Sequence, residues 1–203
     1  MTMIQVPEPF KIITFTGASG AGKTTIVKEL LDQRIDYQML TSLTTREKRS
    51  SDLPNEYKYL TEEQFEKRKK KDEFIWTFSV HGYRVGTLTA DVRGAFFGNY
   101  GIVHLMILIP EGVQKLRKSV SYDNVASILS FYVFSPAEKI LRQRLIKRGD
   151  DDSSINRRIS DCKIWDKEAN TSGIPYIFID NSGLFSDTIR QINEYLPLPP
   201  KNK

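Results

Sequence analysis

Residues 17–24, Gly-Ala-Ser-Gly-Ala-Gly-Lys-Thr, have the types and spacing to bind a polyphosphate. Glycines let the backbone curl so that its N–H groups converge on phosphate oxygens. The spacing is G-x-x-x-x-G-K-[ST], which makes Gly17, Ala18, Ser19, Gly20, Ala21, Gly22, Lys23, Thr24 and Thr25 the expected cradle of a nucleotide. Lys23 is placed to neutralise β- and γ-phosphates, and the Thr24 hydroxyl to bind Mg²⁺. A glycine-rich turn can instead merely cap a helix. Here the loop lies between an apolar run and a helical pattern, the context a phosphate loop needs, and the positive end of that helix adds to the field.

The run Phe10 to Thr16 is short and rich in β-branched and aromatic residues, as a buried strand is. After the loop, Ile26, Val27, Leu30 and Leu31 fall on one helical face. Met39–Leu43 is expected as a strand leading into a polar, basic loop over 44–54, and Lys58–Leu60 as a brief strand. Thr61 with Gln64 has capping-box spacing and predicts a helix from Glu62 to about Lys71. Strand character returns over Glu73–Val80 and Tyr83–Val85, on either side of a turn holding His81 and Gly82, and a helix is expected over about 89–97. Further strands are expected over Ile102–Ile109, Val125–Phe134 and Tyr176–Ile179. Ser135-Pro-Ala-Glu138 reads as a helix start with Ser135 as N-cap, and helices are also expected from Glu111, Ser153 and Ser186. Alternating strands and helices predict an α/β fold, a parallel sheet flanked by helices. Residues 44–88 interrupt that rhythm and read as an inserted lobe.

The chain has 203 residues, 39% of them hydrophobic, with a formal charge of +5. No apolar run reaches the roughly 18 residues that cross a bilayer, and the single cysteine, Cys162, rules out an internal disulfide. MTMIQVPEPF lacks the basic start and apolar core of a signal peptide. A cytoplasmic protein without membrane partner is the expectation. The basic run Lys67–Lys71 lies on a polar helix and reads as a solvated face, so no nucleic-acid partner is expected. Cys162 is expected to pack in a helix.

The loop GASGAGKTT, then TTRxxR at 44–49, EYKYL, EEQFEKRKKKDEFI, HGYRVGT and RLIKRG with NRRI together resemble the guanylate kinase family, over residues 12 to about 195. The resemblance implies a P-loop kinase using ATP and Mg²⁺ and a phosphorylated small-molecule acceptor, GMP by default. It implies that Arg46, Arg49 and Tyr57 grip the acceptor phosphate, as guanidinium forks suit phosphate oxygens. Ser42 is implied to touch the base, and Thr87 keeps an acceptor-site hydroxyl. Arg144, Arg148 and Arg158 are implied to form a lid over the transferring group, Arg144 and Arg148 being one helical turn apart. Asp180 and Asn181 fall near the adenine position. The expected organisation is a domain over 8–196, with core segments 8–33, 101–134 and 171–196. An acceptor lobe is expected over about 34–100, a lid over about 135–170, and a disordered tail over 197–203.

The acceptor half departs from the family pattern. Trp76 stands where the family has its guanine-reading glutamate, Val85 where it has a phosphate-binding tyrosine, and Ile107 and Ile109 where it has two aspartates. Trp76 is expected to fill core, and Glu73 and Glu111 are the nearest acids that could substitute. These departures leave two alternatives open: a kinase of another phosphorylated acceptor such as ribose 1,5-bisphosphate, and a non-catalytic interaction module of the same fold.

Overall fold

In the computed structural model, which describes residues 10–80, 82–98 and 101–197, the phosphate loop springs from the middle of a parallel sheet. Strand β1, Ile12–Thr16, is buried along its whole length, as its unbroken β-branched and aromatic run requires of a strand covered on both faces. The loop leads into helix α1, Lys23–Gln33, which packs Ile26, Val27 and Leu30 inward. Strand β2 is Tyr37–Met39 and β3 is Ser42–Thr44. The strand expected over Met39–Leu43 is therefore two strands of different sheets. At Leu40 the chain makes its last bond to the parallel sheet, Leu40 N–H to the Leu105 carbonyl, and then leaves it.

Strand β4 is Tyr57–Tyr59, and helix α2, Glu62–Lys70, starts with the expected capping box: Thr61 accepts from the Gln64 N–H while Gln64 accepts from the Thr61 N–H. Strands β5, Phe74–Val80, and β6, Tyr83–Leu88, form a hairpin, and helix α3 spans Thr89–Phe97. The expected turn at His81 lies outside the described residues. Strand β7, Val103–Ile107, precedes helix α4, Pro110–Ser119, and the short helix α5, Tyr122–Val125. Then come β8, Ile128–Val133; helix α6, Glu138–Lys147; helix α7, Asp152–Ala169; β9, Tyr176–Ile179; and helix α8, Phe185–Asn193.

The five strands β2-β7-β1-β8-β9 lie side by side, all parallel, with Phe15 opposite Ile107 on one side and Phe131 on the other. Side chains alternate across this sheet. Ile13 and Phe15 face α1 and α8 in a cluster with Leu30, Phe131 and Ile192, whereas Ile12 joins Met106, Leu116 and Ala169 on the other face. A second sheet, β4-β3-β6-β5, is mixed, with β3 parallel to β4 and antiparallel to β6.

One expected helix start moved. Helix α6 begins at Glu138 with Ala137 at its N-cap position and no side-chain cap, so Ser135 does not cap it. At the next helix a side chain does cap the start: Asp151 accepts from the Ser154 N–H at 2.9 Å to begin α7. Cys162 is buried among Leu141, Leu145, Ile155 and Ile159, its thiol 2.9 Å from the Arg158 carbonyl.

Trp76 is 4% exposed and sits with Leu40, Val92, Phe96 and Met106, joining the second sheet to the main core. Its indole is packing. Trp76→Ala is expected to cost about 3–5 kcal/mol, the usual loss for an aromatic truncated in a packed interior. Chemical denaturation checks this; a variant of unchanged stability would show that the ring is not part of the core.

Candidate active site

The phosphate loop takes its shape from two glycines that no other residue could replace. Gly17 has φ +139°, and a Cβ there would lie 2.2 Å from the Val133 carbonyl oxygen. Gly22 has φ +104°, and a Cβ would lie 2.2 Å from Asn181 Nδ2. Both combine a left-handed backbone with a close approach that only glycine allows. The Asn181 amide donates to the Ala21 carbonyl at 2.8 Å, and its Oδ1 accepts from the Thr188 hydroxyl at 2.9 Å. Asn181 thus props the loop from β9's end. The Lys23 ammonium donates to the carbonyls of Gly17 and Ala18 at 2.7 and 2.6 Å. Burial, abetted by Arg148 and opposed by Cys162, pushes its pKa down from 10.5 to about 8.

A cleft of about 600 Å³ opens at this end of the parallel sheet. Gly17, Ser19, Gly20, Gly22, Lys23, Thr24 and Thr25 line it, together with Arg46, Arg49 and Tyr57 from the second sheet and its loop, Arg144 from α6, Arg148 just after it, and Arg158 from α7. Ala18 and Ala21 are buried under the loop. Ser42 and Thr87 stand apart from the lining: both are buried, with their hydroxyls 3.2 Å from each other. Residues separated by more than a hundred positions are thus gathered because parallel strands bring their C-terminal ends, and the loops after them, to one edge.

The basic loop is organised by an acid that spacing alone did not single out. Arg46 donates from one terminal nitrogen to both oxygens of Asp52 at 2.9 Å, and its guanidinium lies 5.1 Å from the centre of the Tyr57 ring. Asp52 also accepts from the Arg49 N–H and the Tyr59 hydroxyl, each at 2.7 Å. Burial disfavours charge on Asp52, but these donors outweigh it and hold its carboxyl below the usual range. Glu56 behaves oppositely: burial lifts its pKa, only partly countered by the Leu53 N–H, 2.9 Å away. Asp52, Glu56 and Asp161 are the acids of the cleft lining. Glu73 and Glu111 do not reach it; they pair with Arg68 and Lys115.

Ile107, Leu108 and Ile109, at the end of β7, give the cleft an apolar floor, continued by Val80, Tyr83 and Trp165. Near Arg144 and Arg148, contacts run to the phosphate loop itself. Arg144 donates to the Gly20 carbonyl at 3.0 Å and Arg148 to the Ser19 hydroxyl at 2.9 Å. Burial and the neighbouring Arg148 charge lower the pKa of Arg158. No three His, Cys, Asp or Glu side chains among the described residues are grouped to hold a metal.

A glycine-cradled lysine at the C-terminal end of the central strand of a parallel sheet, facing arginines in one cleft, defines a P-loop nucleotide-binding protein of the α/β class. Residues 10–197 match the model of the family described as guanylate kinase. A guanylate kinase of Thermotoga maritima is 33% identical over 158 residues, covering 77% of this chain and 72% of that protein. One of Maricaulis maris is 28% identical over 187 residues, 91% of this chain and 81% of its own. The crystal structure of guanylate kinase from Anaplasma phagocytophilum superposes with a TM-score of 0.61 at 18% identity, covering 93% and 84% of the two chains, and so shares the fold. The chain belongs to the guanylate kinase family.

Proposed function

We propose that this protein moves the γ-phosphoryl group of MgATP to the phosphate of a nucleoside monophosphate, with GMP as the default acceptor, forming ADP and a nucleoside diphosphate. The observation that carries this reading is the cleft itself, in which the phosphate loop and three separate sources of arginine face a single space. The backbone of residues 17–22 and Lys23 would hold the donor phosphates, and Thr24 would hold Mg²⁺, which would offset phosphate charge when bound. Arg46, Arg49 and Tyr57 would hold the acceptor phosphate, with Ser42 and Thr87 supporting that wall. Arg144, Arg148 and Arg158 would offset charge on the transferring group, the role positioned cations play in phosphoryl transfer.

No general base is required, because a phosphate acceptor is already anionic near neutral pH. On this reading the second sheet is an acceptor lobe, over about 34–100. Helices α6 and α7 are a lid, over about 135–170, and closing the two excludes water from the reaction. The partners are a nucleotide donor and a phosphorylated small molecule, with no role for nucleic acid or membrane. The cytoplasm, which supplies both nucleotides, is the setting. ADP formation from MgATP by the purified protein, with GMP and the other monophosphates offered in turn, tests it. Turnover that depends on the added monophosphate is the expected result. ATP binding without transfer to any of them would overturn it.

A further inference from the structure

Three consecutive aspartates, 150–152, join α6 to α7, and they do different things. Asp151 caps α7 and Asp152 is exposed in its first turn, whereas the Asp150 side chain is turned inward and only 14% exposed. Its position is fixed by the end of α6. Gly149, at φ +86°, lets the chain reverse, and the Asp150 N–H returns to the Leu145 carbonyl at 3.2 Å. From there the carboxylate meets two of the cleft's arginines at once. It accepts from Arg148 through both Nε, at 3.3 Å, and a terminal nitrogen, and it lies 3.2 Å from Arg158 Nε.

The edges it engages matter. Arg148 keeps its other terminal nitrogen for the Ser19 hydroxyl of the phosphate loop, and Arg158, approached at Nε, keeps both terminal nitrogens. Two guanidinium groups brought this close repel one another, and one carboxylate between their inner edges offsets that repulsion while leaving the outer donors for a ligand. Arg144 is outside the arrangement; it bonds the Gly20 carbonyl instead.

We propose that Asp150 is a positioning residue for phosphoryl transfer, acting through Arg148 and Arg158, whose guanidinium groups it sets side by side over the phosphate loop. The proposal rests on the kinase reading above. Asp150→Asn keeps the shape and removes the charge. The expected result is a fall in kcat on the order of 10- to 100-fold, the usual cost of misplaced catalytic groups, with the KM values for MgATP and GMP within about threefold and the melting temperature unchanged. Asp150→Glu, which restores the charge, recovers most of the loss. An unchanged or raised kcat in Asp150→Asn, or a loss that tracks melting temperature, would overturn it. A second readout needs no turnover. In the nucleotide-free protein the Nε–H signal of Arg148, which donates to Asp150, exchanges slowly with solvent, and Asp150→Asn makes it exchange fast while Arg144 is unaffected. Identical exchange in both proteins would also overturn the proposal, whereas a wild-type protein inactive on every monophosphate would instead remove the kinase reading.

Discussion

Lys23→Ala lowers kcat for phosphoryl transfer by about 10³-fold or more while leaving the melting temperature nearly unchanged. The size follows from what is lost. Removing one neutral donor aimed at developing charge costs roughly 10²–10³ in kcat, and Lys23 brings a full charge to a cleft that is partly screened from water. The stability half follows from its environment. Its ammonium is held against two carbonyls of its own loop, yet burial opposes its charge strongly enough to bring the pKa down to about 8. Deleting a group whose charge is disfavoured in the fold takes away little stability near neutral pH. Steady-state ADP formation and a thermal melt measured on the same preparation check both halves. Activity within tenfold of the parent protein would overturn the assignment of Lys23 to the donor phosphates.

The second large effect concerns choice among acceptors. A site that reads a base edge with buried polar groups discriminates by roughly 10⁴–10⁵, whereas apolar contacts give roughly 10- to 200-fold. In this cleft Trp76 is withdrawn into the core, Ile107 and Ile109 are apolar, and the nearest expected acids, Glu73 and Glu111, pair elsewhere. Of the acids that remain, Asp52 is bonded to Arg46, the Arg49 N–H and Tyr59. Glu56 sits in the same loop region against the Leu53 N–H. On the proposed reading, acceptor grip would come from arginines on the phosphate and from Tyr83, Trp165 and the apolar floor against the rest of the molecule. The expected ratio of kcat/KM for GMP over AMP is no more than about 200. A ratio above 10⁴ would show that an acid of the cleft, with Glu56 and Asp161 the first to mutate, reads guanine after all.

Much of this was legible in the sequence because the signals were local. The phosphate loop needs glycines at fixed offsets between a strand and a helix, and the capping box of Thr61 and Gln64 is complete within four residues, so both were found where expected. Local signals also misled. Ser135-Pro-Ala-Glu has every mark of a helix start, but the chain stays extended through Ala137, and the short strand-like run Met39–Leu43 gave no sign of the passage at Leu40 from one sheet to another. The acids of the site were the least visible. Asp52 lies three residues beyond Arg49 and could have been found by asking what would hold two arginines in a loop. Asp150 hydrogen-bonds a residue two positions away and pairs by charge with another eight positions on, an arrangement that the reversal at Gly149 creates. Asn181, read as an ordinary turn residue or a base contact, proved to be a prop for Ala21, 160 residues earlier in the chain.

On the reading that Lys23 meets the donor phosphates, its lowered pKa couples nucleotide binding to proton uptake. The free protein releases the lysine proton near pH 8, well below the ordinary 10.5, while a bound polyphosphate would hold that proton in place. Above about pH 8 binding therefore takes up as much as one proton, and affinity for MgATP falls as pH climbs; at pH 8 the uptake is about half a proton and it fades only about a unit lower. Titration calorimetry at pH 9 in two buffers of different ionisation enthalpy should give different apparent heats, a difference absent from Lys23→Ala. Equal heats for the parent protein would mean that the lysine enters the complex in the same state it leaves solution. If the difference is there, the loop that holds phosphate also couples nucleotide occupancy to the alkalinity of its surroundings.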